Sequence, residues 1–232
     1  MAVLEKKGEQ PSSEGAVFIP PGAASSLAGF RKWYESDDFP EEGRICYLDG
    51  ELFVDMGHER ISSHVSLKTA LTQVLADLAE EMDIGQFFGD GARVVSTNAK
   101  ISAEPDGCYL TWDAVESGRV KLRKSNDGED VTEVVGSPDM VLEVVSPSSV
   151  GKDKTILRRL YHKAGIPEYW LIDARRATID FVILRRAAKG YYAAQAVDGW
   201  LPSQAFGHEF RLERSRNRIG VWQYKMRVRK PK

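Results

Sequence analysis

The sequence predicts an α/β protein, and three features indicate this fold class. Residues 136–173 follow the order strand, loop, helix, turn and strand, which is that of a βαβ unit. An apolar stripe spaced at three and four residues runs along residues 62–82 and predicts a long amphipathic helix. Further short segments are β-branched or aromatic and are bounded by turn residues, as strands are.

The N-terminal segment, residues 1–17, lacks an apolar signal core and is predicted to be a disordered tail. We expect residues 18–232 to form one domain, because neither an internal repeat nor a break in composition divides them. Ser26 is placed to cap a short helix that extends to Trp33.

A hairpin and the long helix follow. Asp49 and Gly50 stand between two apolar runs and predict a β-hairpin over residues 44–54. The next predicted elements are the helix over 62–82, with Gly85 at its end, and strands over 86–95 and 98–109.

The second half contains the βαβ unit between two less regular regions. Residues 113–133 are polar and contain several glycines, which predicts an insertion or a long loop. The unit itself is predicted as a strand over 140–145, a helix that ends at Gly165, and a strand over 169–172. Later strands are predicted at 178–184 and 190–197, before a basic tail over 210–232 with a last strand candidate at 221–222.

The composition is that of an ordinary globular protein. Of the 232 residues 42% are hydrophobic, which is enough for a core, and the formal net charge is −2. This charge gives no general attraction to nucleic acid or membrane, although a local basic groove would not alter the total. No apolar run is long enough to span a membrane. Cys46 and Cys108 lie in strand-like segments and are predicted to be reduced, and cytoplasm is the expected compartment.

Glu143 is the strongest candidate for a functional residue. It lies in the middle of the apolar run 140–145, which is predicted to be a strand buried on both faces. Burying an ionised carboxylate costs several kcal/mol unless a partner compensates for the charge. A metal ion or a lysine is therefore expected beside Glu143, and a structural pair with a core cation is the alternative.

Other acidic and basic residues fit the same chemistry. Glu51 follows the hairpin turn, Asp106 follows a proline, and Lys152 and Lys154 follow the Glu143 strand. Carboxylates of this kind bind Mg²⁺ or Mn²⁺, and a nearby lysine can orient or deprotonate a water. The set is typical of a metal-dependent phosphodiesterase, although such residues are also common as solvated surface groups.

Specific motifs in the same region resemble those of the Uma-two family. These are SPDMVLEVVSPSS, then Asp153 and Tyr161, and AGIPEYWLID, with YLDGELF, His64 and EPD (104–106) upstream. The family consists of restriction-endonuclease-like proteins of the PD-(D/E)XK nuclease superfamily. The resemblance covers roughly residues 40–185 and implies a restriction-endonuclease-like core, a mixed β-sheet flanked by helices, with Asp106 and Glu143 as metal ligands.

The sequence departs from the family at the lysine. Many relatives carry a lysine on the helix at the position of Leu157. In the superfamily motif the lysine lies on the strand, two residues after the glutamate, and that position is Val145 here. Lys154 or Lys152 could deliver an ammonium to the same place from another anchor, because the lysine side chain is long and flexible. A degenerate, inactive site is the alternative.

The predicted function is metal-dependent hydrolysis of phosphodiester bonds in DNA. Asp106 and Glu143 would hold Mg²⁺ or Mn²⁺, Lys154 or Lys152 would assist the water, and Glu51 and His64 would complete the pocket. A homodimer would suit a double-strand cutter. The alternatives are a catalytically degenerate nucleic-acid-binding module and a regulatory protein that keeps the nuclease fold.

Overall fold

The computed structural model describes residues 17–125 and 128–231, so all but the last residue of the predicted tail over 1–17 lies outside it. The helices are α1 (Leu27–Tyr34), α2 (Ser66–Met82), α3 (Trp112–Glu116) and α4 (Arg158–Ala164), with π-helical turns at Ile61–Val65 before α2 and Lys152–Leu157 before α4. The strands are β1 (Arg44–Leu48), β2 (Glu51–Asp55), β3 (Gly85–Phe88), β4 (Val94–Ser96), β5 (Ile101–Ala103), β6 (Gly107–Thr111), β7 (Val120–Lys124), β8 (Val131–Gly136), β9 (Met140–Val144), β10 (Glu168–Asp173), β11 (Asp180–Ala187), β12 (Gly190–Ala193), β13 (Leu201–Pro202), β14 (Glu209–Arg216) and β15 (Trp222–Arg229). Among these helices, none is long and apolar enough to cross a membrane.

The strands form three sheets. The first has the order β2-β1-β5-β4-β8-β7, the second β12-β11-β10-β9-β6-β3, and the third β13-β14-β15. The first two sheets are mixed: β4 and β8 are parallel in the first, and β9 and β10 are parallel in the second. The βαβ unit predicted from the sequence thus lies at the centre of the second sheet.

The second sheet is buried on both faces. Cys108, Val141 and Tyr169 face a core shared with the first sheet and α4. Tyr109, Leu142 and neighbouring side chains face a second core shared with α2 and the third sheet. Because side chains alternate along a strand, Glu143 shares the face of Val141 and projects toward the first sheet and α4.

Local signals in the sequence correctly predict several boundaries. Ser26 caps α1 by accepting a hydrogen bond from the Gly29 amide at 3.0 Å. Asp49 and Gly50, with φ angles of 55° and 104°, form the turn between β1 and β2. Gly165, with φ of 88°, ends α4 as predicted.

The two strands predicted at 86–95 and 98–109 are wrong as single elements. The first is divided between β3 and β4 by a turn that contains Gly89 and Gly91, and the second between β5 and β6 by Glu104 and Pro105. In each case the two halves belong to different sheets. The chain crosses between the sheets at these breaks, and the second crossing carries Asp106 to the start of β6.

The end of α2 also differs from the prediction. Asp83, with a left-handed φ of 50°, ends the helix. Gly85 instead begins β3, where a Cβ atom would lie 2.3 Å from the Leu110 carbonyl oxygen. The glycine therefore reflects close approach of two strands rather than a helix cap.

Two regions predicted to be irregular are ordered. Residues 113–133, predicted as a polar insertion or loop, contribute to α3, β7 and β8, and the buried Glu133 pairs with Arg31 of α1. The predicted basic tail over 210–232 forms much of the β14–β15 hairpin, in which Phe210 and Met226 are buried. Their polar sequences conceal strands because each strand buries only one face.

Candidate functional site

Strand pairing brings Asp106 and Glu143 together. In the antiparallel pair β6–β9, Gly107 lies opposite Leu142, so the next position places Asp106 opposite Glu143. Opposite residues of an antiparallel pair project on the same face. The two side chains are almost fully buried, with exposures of 3% and 2%, and both line a cleft of about 850 Å³.

Glu143 is held in an environment that disfavours its negative charge. The Tyr161 hydroxyl of α4 donates a hydrogen bond of 2.8 Å to Glu143 Oε1, and this contact only partly offsets the unfavourable environment. Burial raises the pKa of Glu143 well above its ordinary value, the Asp153 and Asp106 carboxylates raise it further, and Lys152 opposes the shift. The site thus concentrates negative charge that a cation would stabilise.

Lys152 is the candidate lysine that faces this charge. Its ammonium nitrogen lies 3.2 Å from Oδ1 of the buried Asp153, whose other oxygen accepts a hydrogen bond from Ser149. Burial would lower the pKa of Lys152, but Glu143 and Asp153 raise it above its ordinary value. Lys152 is therefore a protonated hydrogen-bond donor at neutral pH.

Lys154 is directed elsewhere. Its ammonium nitrogen lies 2.8 Å from Asp173 Oδ2 and 3.9 Å from Asp180 Oδ2. Residues two positions apart on a helical turn project in different directions, and of these two lysines it is Lys152 that lines the cleft. The structure places Lys152 there.

Asp106 is paired with positive side chains. Its Oδ1 accepts a hydrogen bond of 2.7 Å from Arg44, and its Oδ2 accepts one of 2.7 Å from the Val144 amide. The Lys68 ammonium lies 3.7 Å from Oδ1. Asp106 is thus fixed against the strand that carries Glu143, with part of its charge already neutralised.

His64 links the start of α2 to the same strand. Its Nε2 lies 2.9 Å from the Val144 carbonyl oxygen and must donate there, because a carbonyl only accepts. The other ring nitrogen, Nδ1, is buried and lies 3.2 Å from Glu59 Oε2. Glu59, His64 and Asp106 each offer a ligand atom within 4.8 Å of the others, as a metal site requires.

Glu51 does not reach the cleft. It is exposed beside the hairpin turn, and the cleft is lined instead by Phe53 and Asp55 of the same strand. Because side chains on one face of a strand recur every two residues, Glu51 has the right face but lies too near the turn. Asp55 accepts a hydrogen bond of 2.8 Å from Ser148 in the loop after β9.

Several residues in and beside the cleft have weak sequence signals. Lys68 follows His64 by four residues on the same helix face, a spacing that predicts proximity. Arg44 and Glu59 reach Asp106 only through long-range folding, and no local pattern indicates them. The ionisable residues of the cleft that the sequence did not single out as site candidates are Arg44, Asp55, His58, Glu59, Arg60, Asp90, Asp153 and Arg175.

Comparisons with known proteins identify the family and support the fold. Residues 27–215 match the Uma2 family model, which is described as "putative restriction endonuclease" and is the Uma-two family of the sequence motifs. A crystal structure from Anabaena variabilis ATCC 29413, described as a putative nuclease belonging to DUF820, matches with a TM-score of 0.57 and 20% identity. The match covers 78% of this chain and 90% of that one, and confirms the predicted fold. The comparison with curated proteins gave no match.

Proposed function

The chain belongs to the Uma2 family, and on that premise we propose that it is a metal-dependent endonuclease that hydrolyses phosphodiester bonds in DNA. The observation that carries the proposal is the pair of buried carboxylates, Asp106 and Glu143, placed opposite each other in a cleft that also holds Lys152. Two carboxylates and a cation are the groups that nucleases of this type need.

The residues present fit a bound Mg²⁺ or Mn²⁺. Asp106 and Glu143 supply the hard oxygen ligands that these ions prefer. The mutual repulsion and burial that raise the pKa of Glu143 would be relieved by a divalent cation. Beside them, Glu59 and His64 offer further ligand atoms next to Asp106. We propose Asp106 and Glu143 as the metal ligands and His64 as part of the pocket.

The protein side chains have separate tasks in hydrolysis. An ion held by Asp106 and Glu143 would supply Lewis acidity to the phosphate and would lower the pKa of a water bound to it. Lys152, held by Asp153, remains protonated and donates hydrogen bonds to the attacking water or to the phosphate oxygens. A bond forms between the water oxygen and phosphorus while the bond from phosphorus to one sugar oxygen breaks. The attacking water loses one proton to solvent, and the departing oxygen takes up a proton from solvent.

A second candidate function is a nucleic-acid-binding protein without cleavage. Leu157 and Val145 occupy the positions where a lysine is expected. Arg44 and Lys68 already provide positive charge beside Asp106. If these cations replace the metal, the carboxylates would be structural, and the protein would bind DNA without metal-dependent cleavage.

Calorimetric titration with Mn²⁺ tests the metal site. Wild type is expected to bind saturably, and Asp106→Ala and Glu143→Ala are each expected to lose that binding because each removes a proposed ligand. Glu51→Ala is the matched control: it removes a carboxylate outside the cleft and should bind as wild type does.

The titration contradicts the proposed ligands if wild type and both cleft variants give the same isotherm. Circular dichroism of each variant is needed beside it, because Asp106 also accepts the Val144 amide and Arg44. Asp106→Asn and Glu143→Gln retain the shape of the side chain and remove the charge, so they separate loss of a ligand from loss of folding.

A further inference from the structure

The C-terminal hairpin, residues 209–230, has a charge opposite to that of the rest of the chain. It contains eight arginines and lysines and two glutamates. Its net charge is therefore +6, although the whole chain carries −2. The remainder of the chain carries the compensating −8, so the positive charge is concentrated in this one ribbon.

Only part of this positive charge is neutralised within the protein. Arg211 and Arg227 share Glu213, and Arg229 pairs with Glu209. These pairs involve both glutamates of the hairpin, so its other cations have no glutamate within the hairpin with which to pair.

Among the residues that the structure describes, three exposed cations of the hairpin have no carboxylate partner. Within the described ranges, none of Arg216, Arg218 and Lys225 pairs with a carboxylate, and all three are exposed. Arg216 donates to the Gly220 carbonyl and stacks 3.7 Å from the centroid of Trp222. The stacking holds its guanidinium at the turn end of the ribbon.

The turn also exposes an apolar side chain. Ile219 is 75% exposed between Arg218 and Gly220, and its amide donates to the Asn217 side chain, which also receives the Val221 amide. The turn is therefore held in shape by Asn217 while its isoleucine faces solvent. An exposed apolar side chain beside an arginine can contact the thymine methyl group that the major groove presents.

The hairpin lies next to the candidate catalytic cleft. A second groove runs between β15 and the first turns of α2, and Val65 lines it. Ser63 and His64, in the same π-helical turn, line the cleft that contains Asp106 and Glu143. A single turn of the chain thus separates the two surfaces, so a long substrate in the cleft can extend along the hairpin.

We infer that the hairpin 209–230 binds double-stranded DNA, with its cations on the phosphate backbone and its turn in a groove. The inference rests on the proposed function, because it specifies where the remainder of that DNA substrate lies. A two-stranded ribbon fits the major groove. Eight residues of strand extend about 26 Å, roughly the length of eight base pairs.

The test is the binding of a short fluorescent duplex by the full-length protein, followed by anisotropy over a range of salt concentrations. EDTA is present throughout, so that binding is measured without cleavage. The triple variant Arg216→Gln, Arg218→Gln, Lys225→Gln is expected to lower the slope of log affinity against log salt by about 3. At physiological salt the same loss of contacts corresponds to roughly 10- to 100-fold weaker binding.

A control variant separates local contact from net charge. Lys100→Gln, Lys121→Gln, Lys189→Gln removes three exposed cations outside the hairpin and should bind as wild type does. The inference would be overturned if the hairpin variant and wild type had equal affinity for the duplex and equal slopes of log affinity against log salt. It would also be overturned if the full-length protein bound anionic vesicles through the hairpin in preference to the duplex.

These measurements distinguish failure of the hairpin inference from failure of the endonuclease proposal. If wild type binds the duplex through the hairpin but does not cleave it with Mn²⁺, the hairpin inference stands and the endonuclease proposal fails. If wild type cleaves the duplex and the hairpin variant cleaves and binds it equally well, the endonuclease proposal stands and the hairpin inference fails.

Discussion

Lys152→Met is expected to lower the rate of metal-dependent DNA cleavage about 10²- to 10³-fold, the loss typical of one hydrogen-bond donor aimed at developing charge. The reason is that Lys152 is a cation of the cleft that interacts electrostatically with both Glu143 and Asp153. Methionine retains much of the length of the side chain and fills the same space without the ammonium. The measurement is single-turnover cleavage of a supercoiled plasmid with saturating Mn²⁺.

Lys154→Met is the matched control for this prediction. It removes a lysine two residues away that pairs with Asp173 and does not line the cleft. Cleavage should therefore continue at nearly the wild-type rate. If Lys154→Met abolished cleavage and Lys152→Met did not, the assignment of the lysine would be wrong. Metal titration of Lys152→Met is the second readout: retained binding would show that the lost rate comes from the ammonium.

The centre of the candidate site was predictable because its signal is local. A charged residue in the middle of a fully apolar strand is costly to bury, and this pattern identifies Glu143 from the sequence alone. Its partner Asp106 was predicted only from proximity to a proline and from the family motif. The register of β6 against β9, which places the two side chains on one face, is not encoded by any short segment.

The residues around Asp106 could not be identified as site candidates from the sequence for the same reason. Arg44, Glu59 and Lys68 come from three separate segments and meet only at Asp106. A lone arginine or lysine in a polar stretch is typical of a solvated surface. The neighbouring residues in the sequence do not indicate whether such a side chain is solvated or pairs with a buried aspartate. The choice between Lys152 and Lys154 likewise depended on the rotation of a π-helical turn.

The fold shows a similar division between local and long-range information. Turn and cap residues such as Ser26, Asp49 and Gly165 determine their conformations by themselves, and the predicted boundaries there agree with the structure. The apolar runs within 86–109 are separated by turn residues, but no local feature indicates that the chain leaves one sheet for another at those turns. Sheet membership follows from which surfaces pack, and that information is spread over the whole chain.

The second large effect is expected in stability, at a residue that supports the segment before Asp106. Arg93 is 1% exposed, and its guanidinium donates to Ser102, to the Ile45 carbonyl and to Glu104. It also lies 3.9 Å from the centroid of the Tyr34 ring. Arg93→Met should therefore lower the free energy of unfolding by about 3 kcal/mol, within the cost of breaking a buried charge pair. Urea unfolding followed by tryptophan fluorescence measures this change.

Two further variants show whether the guanidinium itself is responsible. Arg93→Lys keeps the charge but replaces the planar fork that reaches three partners at once, so an intermediate loss is expected. Arg218→Met, at an exposed arginine of the hairpin turn, should change stability by less than about 0.5 kcal/mol. The prediction would be contradicted if Arg93→Met lowered the free energy of unfolding by less than about 1 kcal/mol. In that case packing of the aromatic side chains, rather than the buried cation, would hold α1 and β1 against the strand that leads to Asp106.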